Sequence, residues 1–160
     1  MRWIWIDKFT EFTPRTSAST LKNVSLAEEH LHDLYPDFPI VPHSLIVEGF
    51  AQTAGILVGE ARNFEEKVIL AKVARATFHR LVRPGDTIHF HAKVDQLSEQ
   101  GASTSGTVTC GPDTVAEIEM MFSHIDQNMA GMKFPDENFV FTQRFKDLLT
   151  NYRRDHPVAL

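Results

Sequence analysis

Glu48 stands in the apolar run HSLIVEGFAQTAG, four residues before Gln52. On a helix that spacing puts both side chains on one face, where the amide can hold the carboxylate or a water beside it. Burial disfavours the charged form of a carboxylic acid and strengthens its hold on a proton, which suits such a group to give or take protons near neutral pH. Imidazoles stand close by at His30, His32 and His43. A carboxylate and an imidazole that meet can work as an acid–base pair. A helix N-terminus, where His43 would lie, favours the neutral ring that a general base requires. The plainer alternative keeps Glu48 on a solvated seam, satisfied by Gln52, with His32 and His43 as polar loop residues.

Other constellations are weaker. His89-Phe90-His91 sets two imidazoles on one face of a strand, and His30-Leu31-His32 repeats the spacing, which is the beginning of a metal site. With Ile88, Phe90, Ala92 and Val94 taking the apolar face, His89 and His91 read more simply as residues of the wetter side. No metal or organic cofactor is expected. Cys110 is the only cysteine, so an intramolecular disulfide is impossible and the side chain reads as a small packing residue. No glycine-rich phosphate loop follows a strand, and Ser44 lacks the strand–turn–helix setting of a hydrolase nucleophile. The net charge is −5 with dispersed basic residues, which argues against a nucleic-acid partner. Lys72, Arg75, Arg80 and Arg83 gather some positive charge ahead of a turn, where an acidic protein or a phosphate could dock, or where they are simply solvated. No apolar run is long enough to span a membrane, and the expectation is a soluble cytoplasmic protein.

The elements that must position Glu48 follow from pattern and punctuation. The chain has 160 residues, enough for one core. RWIWIDKFTEFTPRTSASTLKNVS alternates like two strands broken near Pro14, and 27–42, rich in His, Asp and Pro, is expected to be a structured loop. From Ser44 to about Ala61 the run is apolar and free of proline, which predicts one central helix with Ser44 as its cap. Gly49, Gly55 and Gly59 each cost roughly 1 kcal/mol relative to alanine in a helix, so something must approach the backbone closely. Strand-like runs then follow as VILAKVARATFHR, DTIHFHAKVDQLSEQ beyond the Arg83-Pro84-Gly85-Asp86 turn, and ASTSGTVTC and TVAEIEMMFSHI about Gly111-Pro112-Asp113. Phe139, Phe141, Phe145, Leu148 and Leu149 fall near helical spacing within 134–152, predicting a short amphipathic helix. The reading is an α+β domain over 1–126, one antiparallel sheet curled about one long helix, with 127–160 as an extension packed on it.

The stretch from Tyr35 to Gln52, Tyr-Pro-Asp-Phe-Pro-Ile-Val-Pro-His-Ser-Leu-Ile-Val-Glu-Gly-Phe-Ala-Gln, resembles the signature His-Phe-Pro-Gly-x-Pro-x-x-Pro-Gly-x-Leu-x-x-Glu-x-x-Ala-Gln of the hotdog-fold β-hydroxyacyl-(acyl-carrier-protein) dehydratases of the FabA/FabZ type. IDKFTEFTPRTSASTLKNVS resembles that family's opening hairpin, and ATFHRLVRPGDTIHFHAKV its strand, Arg-Pro-Gly-Asp turn and next strand. The resemblance implies a hotdog fold and a dehydratase or hydratase acting on acyl thioesters of acyl carrier protein or coenzyme A, in fatty-acid or related acyl-chain synthesis. It also implies a homodimer, or an oligomer of dimers, whose site combines a histidine of one subunit with a carboxylate of the other. Glu48 matches the carboxylate, and Gln52, Pro42, Ser44 and Phe50 would border the substrate. The signature histidine, however, falls on Leu34, and its two glycines fall on Asp37 and His43. The imidazole would then come from His43 or His32. Two other readings stay open: an acyl-thioester-binding protein or partner of an active paralogue, and a hotdog thioesterase using Glu48 to activate water.

Overall fold

The computed structural model describes residues 3–125 and 140–157. Its first strands, β1 (Lys8–Thr13) and β2 (Ser17–Asn23), form the opening hairpin, with Arg15 at φ 60° in the tight turn. β1 starts later than the aromatic run that announced it. Residues 3–6 precede the ladder because the backbone groups of Trp3, Trp5 and Ile6 bond to the central helix instead. The loop expected over 27–42 contains one short helix, α1 (Glu29–Asp33), pinned by the buried Leu31. The central helix, α2 (His43–Glu60), runs for 18 residues as the pattern required. Its cap differs from expectation: Pro42 occupies the N-cap position and Ser44 lies inside the first turn, with no side-chain cap bond. Proline suits the residue before a helix because its φ is already restricted and it has no amide to satisfy.

Four long strands follow, β3 (Val68–Phe78), β4 (Thr87–Leu97), β5 (Gly101–Cys110) and β6 (Asp113–His124), then α3 (Gln143–Asp155). All strand pairs are antiparallel, and the sheet order is β1-β2-β4-β5-β6-β3. The sheet wraps α2, whose Phe50, Ala54, Leu57 and Val58 share one core with Ile88, Phe90, Val108, Ile118 and Met120 of the strands. On β4, Ile88, Phe90 and Ala92 are buried while His89 and His91 face the wetter side, as the alternation indicated. The amphipathic helix near the C-terminus is α3, with Leu149 buried; Phe134 and Phe139 lie outside the described residues.

The turn between β3 and β4 is locked from several sides. Gly85 sits at φ 93°, the left-handed region that favours glycine, and Val24 exchanges backbone hydrogen bonds with Gly85 and Asp86 at 2.9 Å each. The Asp86 carboxylate accepts from the Arg83 amide at 3.0 Å and from the Arg80 guanidinium at 3.2 and 3.3 Å. Burial alone would raise the Asp86 acid, yet the Arg83 amide and the Arg80 charge hold it below its ordinary value. A depressed carboxyl stabilises the fold fully above its unfolded value of about 3.9 and loses that contribution as pH falls through the folded value. We expect Asp86→Ala to lower unfolding free energy by about 1–3 kcal/mol at pH 7. Urea denaturation should show that difference shrinking once pH drops below about 3.9.

Candidate active site

Gln52 is buried, and its amide is fully engaged. Its Oε1 accepts from the Trp5 amide at 2.8 Å, and its Nε2 donates to the Trp3 carbonyl at 3.2 Å and to Glu48 Oε1 at 2.7 Å. The i,i+4 relation read from the sequence is thus a real contact, and it orients the carboxylate. At the next residue, Thr53 donates to the Gly49 carbonyl at 2.8 Å and its hydroxyl meets that of Thr20 at 2.6 Å, tying α2 to β2. Gly49 accepts the Phe90 ring: a Cβ built there would stand 2.2 Å from its Cζ. Helix and sheet therefore hold Glu48 at a set height and rotation.

The half-buried Glu48 opens onto a cleft of about 480 Å³. Its floor is the α2 face carrying Glu48, Ala51, Gln52 and Gly55, Leu70 and Phe122 border it on the sheet, and Trp3 lies at its edge. Val140, Phe141 and Phe145 of the C-terminal segment complete it. A mostly apolar cleft with a polar pair fixed in its floor matches the usual form of a small-molecule site. The other residues singled out from the sequence do not line it. Pro42, His43 and Ser44 sit at the start of α2, and His43 stacks on Phe78 with ring centroids 4.0 Å apart. His32 is exposed on α1. Phe50 is wholly buried in the core, its ring edge 2.9 Å from where a Cβ on Gly106 would stand. Leu34 closes α1 and is 54% exposed.

Among the described residues no group of three or more His, Cys, Asp and Glu side chains is arranged to hold a metal ion. His89 and His91 stack with centroids 6.2 Å apart, and His91 contacts Ser19 at 3.1 Å and Thr109 at 3.3 Å. Burial and the neighbouring His89 lower its affinity for a proton, which leaves it a neutral member of a hydroxyl network. The positive cluster before the turn is largely spoken for. Arg75 pairs with Glu119 at 2.6 Å, Arg80 with Asp86, and Arg83 lies over the Phe38 ring at 4.4 Å. No helix among the described residues is long and apolar enough to cross a membrane.

A family model for the FabA-like domain matches residues 4–119. The chain belongs to that family. Curated relatives include the 3-hydroxyacyl-[acyl-carrier-protein] dehydratase FabZ of Rickettsia rickettsii, 36% identical over 119 residues that span 72% of this chain and 81% of the relative. The enzyme of the same name from Rickettsia bellii is 35% identical over the same shares. Among solved structures, an uncharacterized protein, PH1136, from Pyrococcus horikoshii superposes with a TM-score of 0.63 at 17% identity, covering 79% of this chain and 88% of its own. The dehydratase heterocomplex ApeI:P from Xenorhabdus doucetiae does so with 0.63 at 12%, covering 79% and 90%. The fold is the hotdog fold. FabA-like residues 4–119 therefore carry Glu48 and Gln52, whereas Val140, Phe141 and Phe145 lie beyond the matched span.

Sequence reasoning missed part of the cleft. Ala51 and Gly55 could have been placed by helical spacing from Glu48, but Trp3 and the C-terminal aromatics come from segments that only the tertiary fold brings there. Replacing Gln52 strips the Trp5 amide of its closest acceptor and the Glu48 carboxylate of its donor. We expect Gln52→Leu, similar in volume, to cost about 1–3 kcal/mol in unfolding free energy, because buried polar groups lose partners. Thermal or urea unfolding measures it; a Glu48→Gln protein should be much less affected, since its new amide can still face Gln52.

Proposed function

We propose that this protein is a 3-hydroxyacyl-thioester dehydratase, running as a hydratase in reverse, with Glu48 as its acid. The observation that carries this is the Gln52-clamped Glu48 in the floor of an apolar cleft, on the helix of a FabA-like domain. In the forward direction a base takes the proton from C2, the C3–O bond breaks with a proton delivered by Glu48 to the leaving hydroxyl, and a C2–C3 double bond and water result. The acyl chain occupies the cleft, and its thioester is carried on acyl carrier protein or coenzyme A. Backbone amides at the start of α2 survive the replacement of glycine by His43 and can polarise the thioester carbonyl.

The base is supplied across a homodimer, by His43 or else His32 of one subunit facing Glu48 of the other. Two features support association of the two sheets edge to edge. β3 is a sheet edge of 11 residues, longer than the short, blunted edges that monomers favour. It also leaves Leu70 and Val73 exposed, with Met121 of β6 exposed nearby. His43, first residue of α2 and stacked on Phe78 at the end of β3, lies at the same side of the fold as that edge.

Glu48→Gln should fold and lose turnover, followed as enoyl absorbance from a short 3-hydroxyacyl thioester, because the amide is nearly isosteric but cannot exchange the proton. Normal turnover by a folded variant would remove Glu48 from the mechanism. His43→Ala should reduce turnover by about 10²- to 10⁴-fold if His43 is the base. Light scattering at micromolar protein should give twice the chain mass, and a monomer would remove the shared site.

Leu34 favours a second reading. Leucine transfers no proton, and its exposed position at the end of α1 beside the exposed Tyr35 and Phe38 suits contact with a histidine-bearing paralogue or a binding role. An inactive wild type that gains turnover as Leu34→His, with no thiol release in either form, would decide for that reading.

A further inference from the structure

We propose that Phe141 and Phe145, outside the family-matched span, close the far end of the cleft and limit the protein to acyl chains of about twelve carbons, a length set by the spacing below. The proposal rests on the cleft being the acyl site. Positions 48, 52, 55 and 59 lie on one face of α2, since each residue turns the helix by about 100°. Gly59 is eleven residues beyond Glu48, about 16 Å along the axis at 1.5 Å per residue. There the Phe141 ring rests on the helix backbone: a Cβ on Gly59 would stand 2.3 Å from its Cζ. A Cβ built on Gly55, between them, would meet only Phe122 among the described residues, at 3.6 Å, so the floor stays low until that ring interrupts it. Allowing about 4 Å for contact with the ring leaves about 12 Å of floor. An all-trans chain advances about 1.3 Å per carbon, given C–C bonds of about 1.5 Å, so about nine carbons fit beyond C3 and about twelve in the whole acyl chain.

The stop is anchored. Phe141 is buried and meets the edge of Phe64 at 5.1 Å. In α3, Leu149 is buried, Tyr152 faces Phe9 at 6.5 Å, and Arg153 pairs with Glu60, at the end of α2, while lying over the Phe12 ring at 5.6 Å. The extension is thus bound both to α2 and to the opening hairpin, and its aromatic side chains stand as a wall and not as a loose tail.

Calorimetry with saturated acyl-coenzyme A thioesters of about four to eighteen carbons reads the limit without chemistry. Affinity should rise by up to about fourfold per methylene and stop rising at about twelve carbons. Phe145→Ala should move that break longer by two carbons or more, Phe145→Trp should move it shorter, and Phe141→Leu, which preserves most of the buried volume, should lengthen it modestly. A break at the same length in all three folded variants, or no break in the wild type up to about eighteen carbons, overturns the proposal. Turnover of the matching 3-hydroxyacyl series is measured alongside. Turnover with an unmoved break defeats the chain-length limit alone, whereas a break that moves in binding without turnover at any length upholds the limit and defeats the dehydratase reading. Failure to bind any of the thioesters defeats the limit outright.

Discussion

The Gln52 side chain is the interaction on which the site depends. One buried amide closes three relations at once: it receives the Trp5 backbone, gives to the Trp3 backbone, and gives to Glu48. An amide is the side-chain group that offers an acceptor and two donors in one plane, so no other residue of that size could join the same three groups. The consequence runs both ways. Residues 3–6 need not pair as a strand because Gln52 serves their backbone, and Glu48 can stand on an apolar helix because one of its oxygens is already bonded. The edge of the cleft, formed in part by Trp3, and the carboxylate in its floor are therefore positioned by the same group.

The wrapping of the sheet was legible because it is written in alternation and turn residues. Ile88, Phe90 and Ala92 point inward, Gly85 and Gly111 take positive φ at the turns, and a run of 18 helical residues is too long for a strand. The helix cap was less legible. Serine is a frequent cap, but Pro42 stands one residue earlier than His43 and its restricted backbone decided where α2 begins. Likewise α1 was hidden by its composition, since Leu31 is the single buried anchor in a segment of His, Asp and Glu. Local signals identify long periodic elements well and short ones poorly, because a five-residue helix owes its existence to tertiary burial.

Of the site, the half encoded within one helix could be read and the half assembled from distant segments could not. Glu48 and Gln52 are neighbours by helical geometry alone. The imidazole is a different problem. His30, His32 and His43 are near Glu48 in sequence, but His43 is five residues away, about 140° around the helix, and His32 sits on a separate element. His43 therefore cannot share Glu48's face of the helix, and His32 does not line the cleft. The proposed site draws its imidazole from a second chain, and sequence proximity then says little about which one would arrive. The same holds for the sheet edge: β3 reads as an ordinary strand, and only the strand order reveals that it borders the sheet with apolar residues outward.

The three glycines of α2 show how one local cost serves different ends. Each weakens the helix by roughly 1 kcal/mol relative to alanine, so each should have a use. Gly49 admits the Phe90 ring of β4, and Gly59 admits Phe141 from the C-terminal segment. Those two are filled, and a methyl at either would drive into an aromatic ring that is itself buried. Gly55 is different. A Cβ there would meet Phe122 at ordinary contact distance, so packing does not require glycine at that position. Gly55 lies on the floor of the cleft between Glu48 and Phe141, where the absence of a side chain leaves room above the helix. The backbone approach inferred from the glycine spacing was thus correct for the sheet at Gly49. At Gly59 the approaching group is an extension, and at Gly55 the space is kept for whatever the cleft holds.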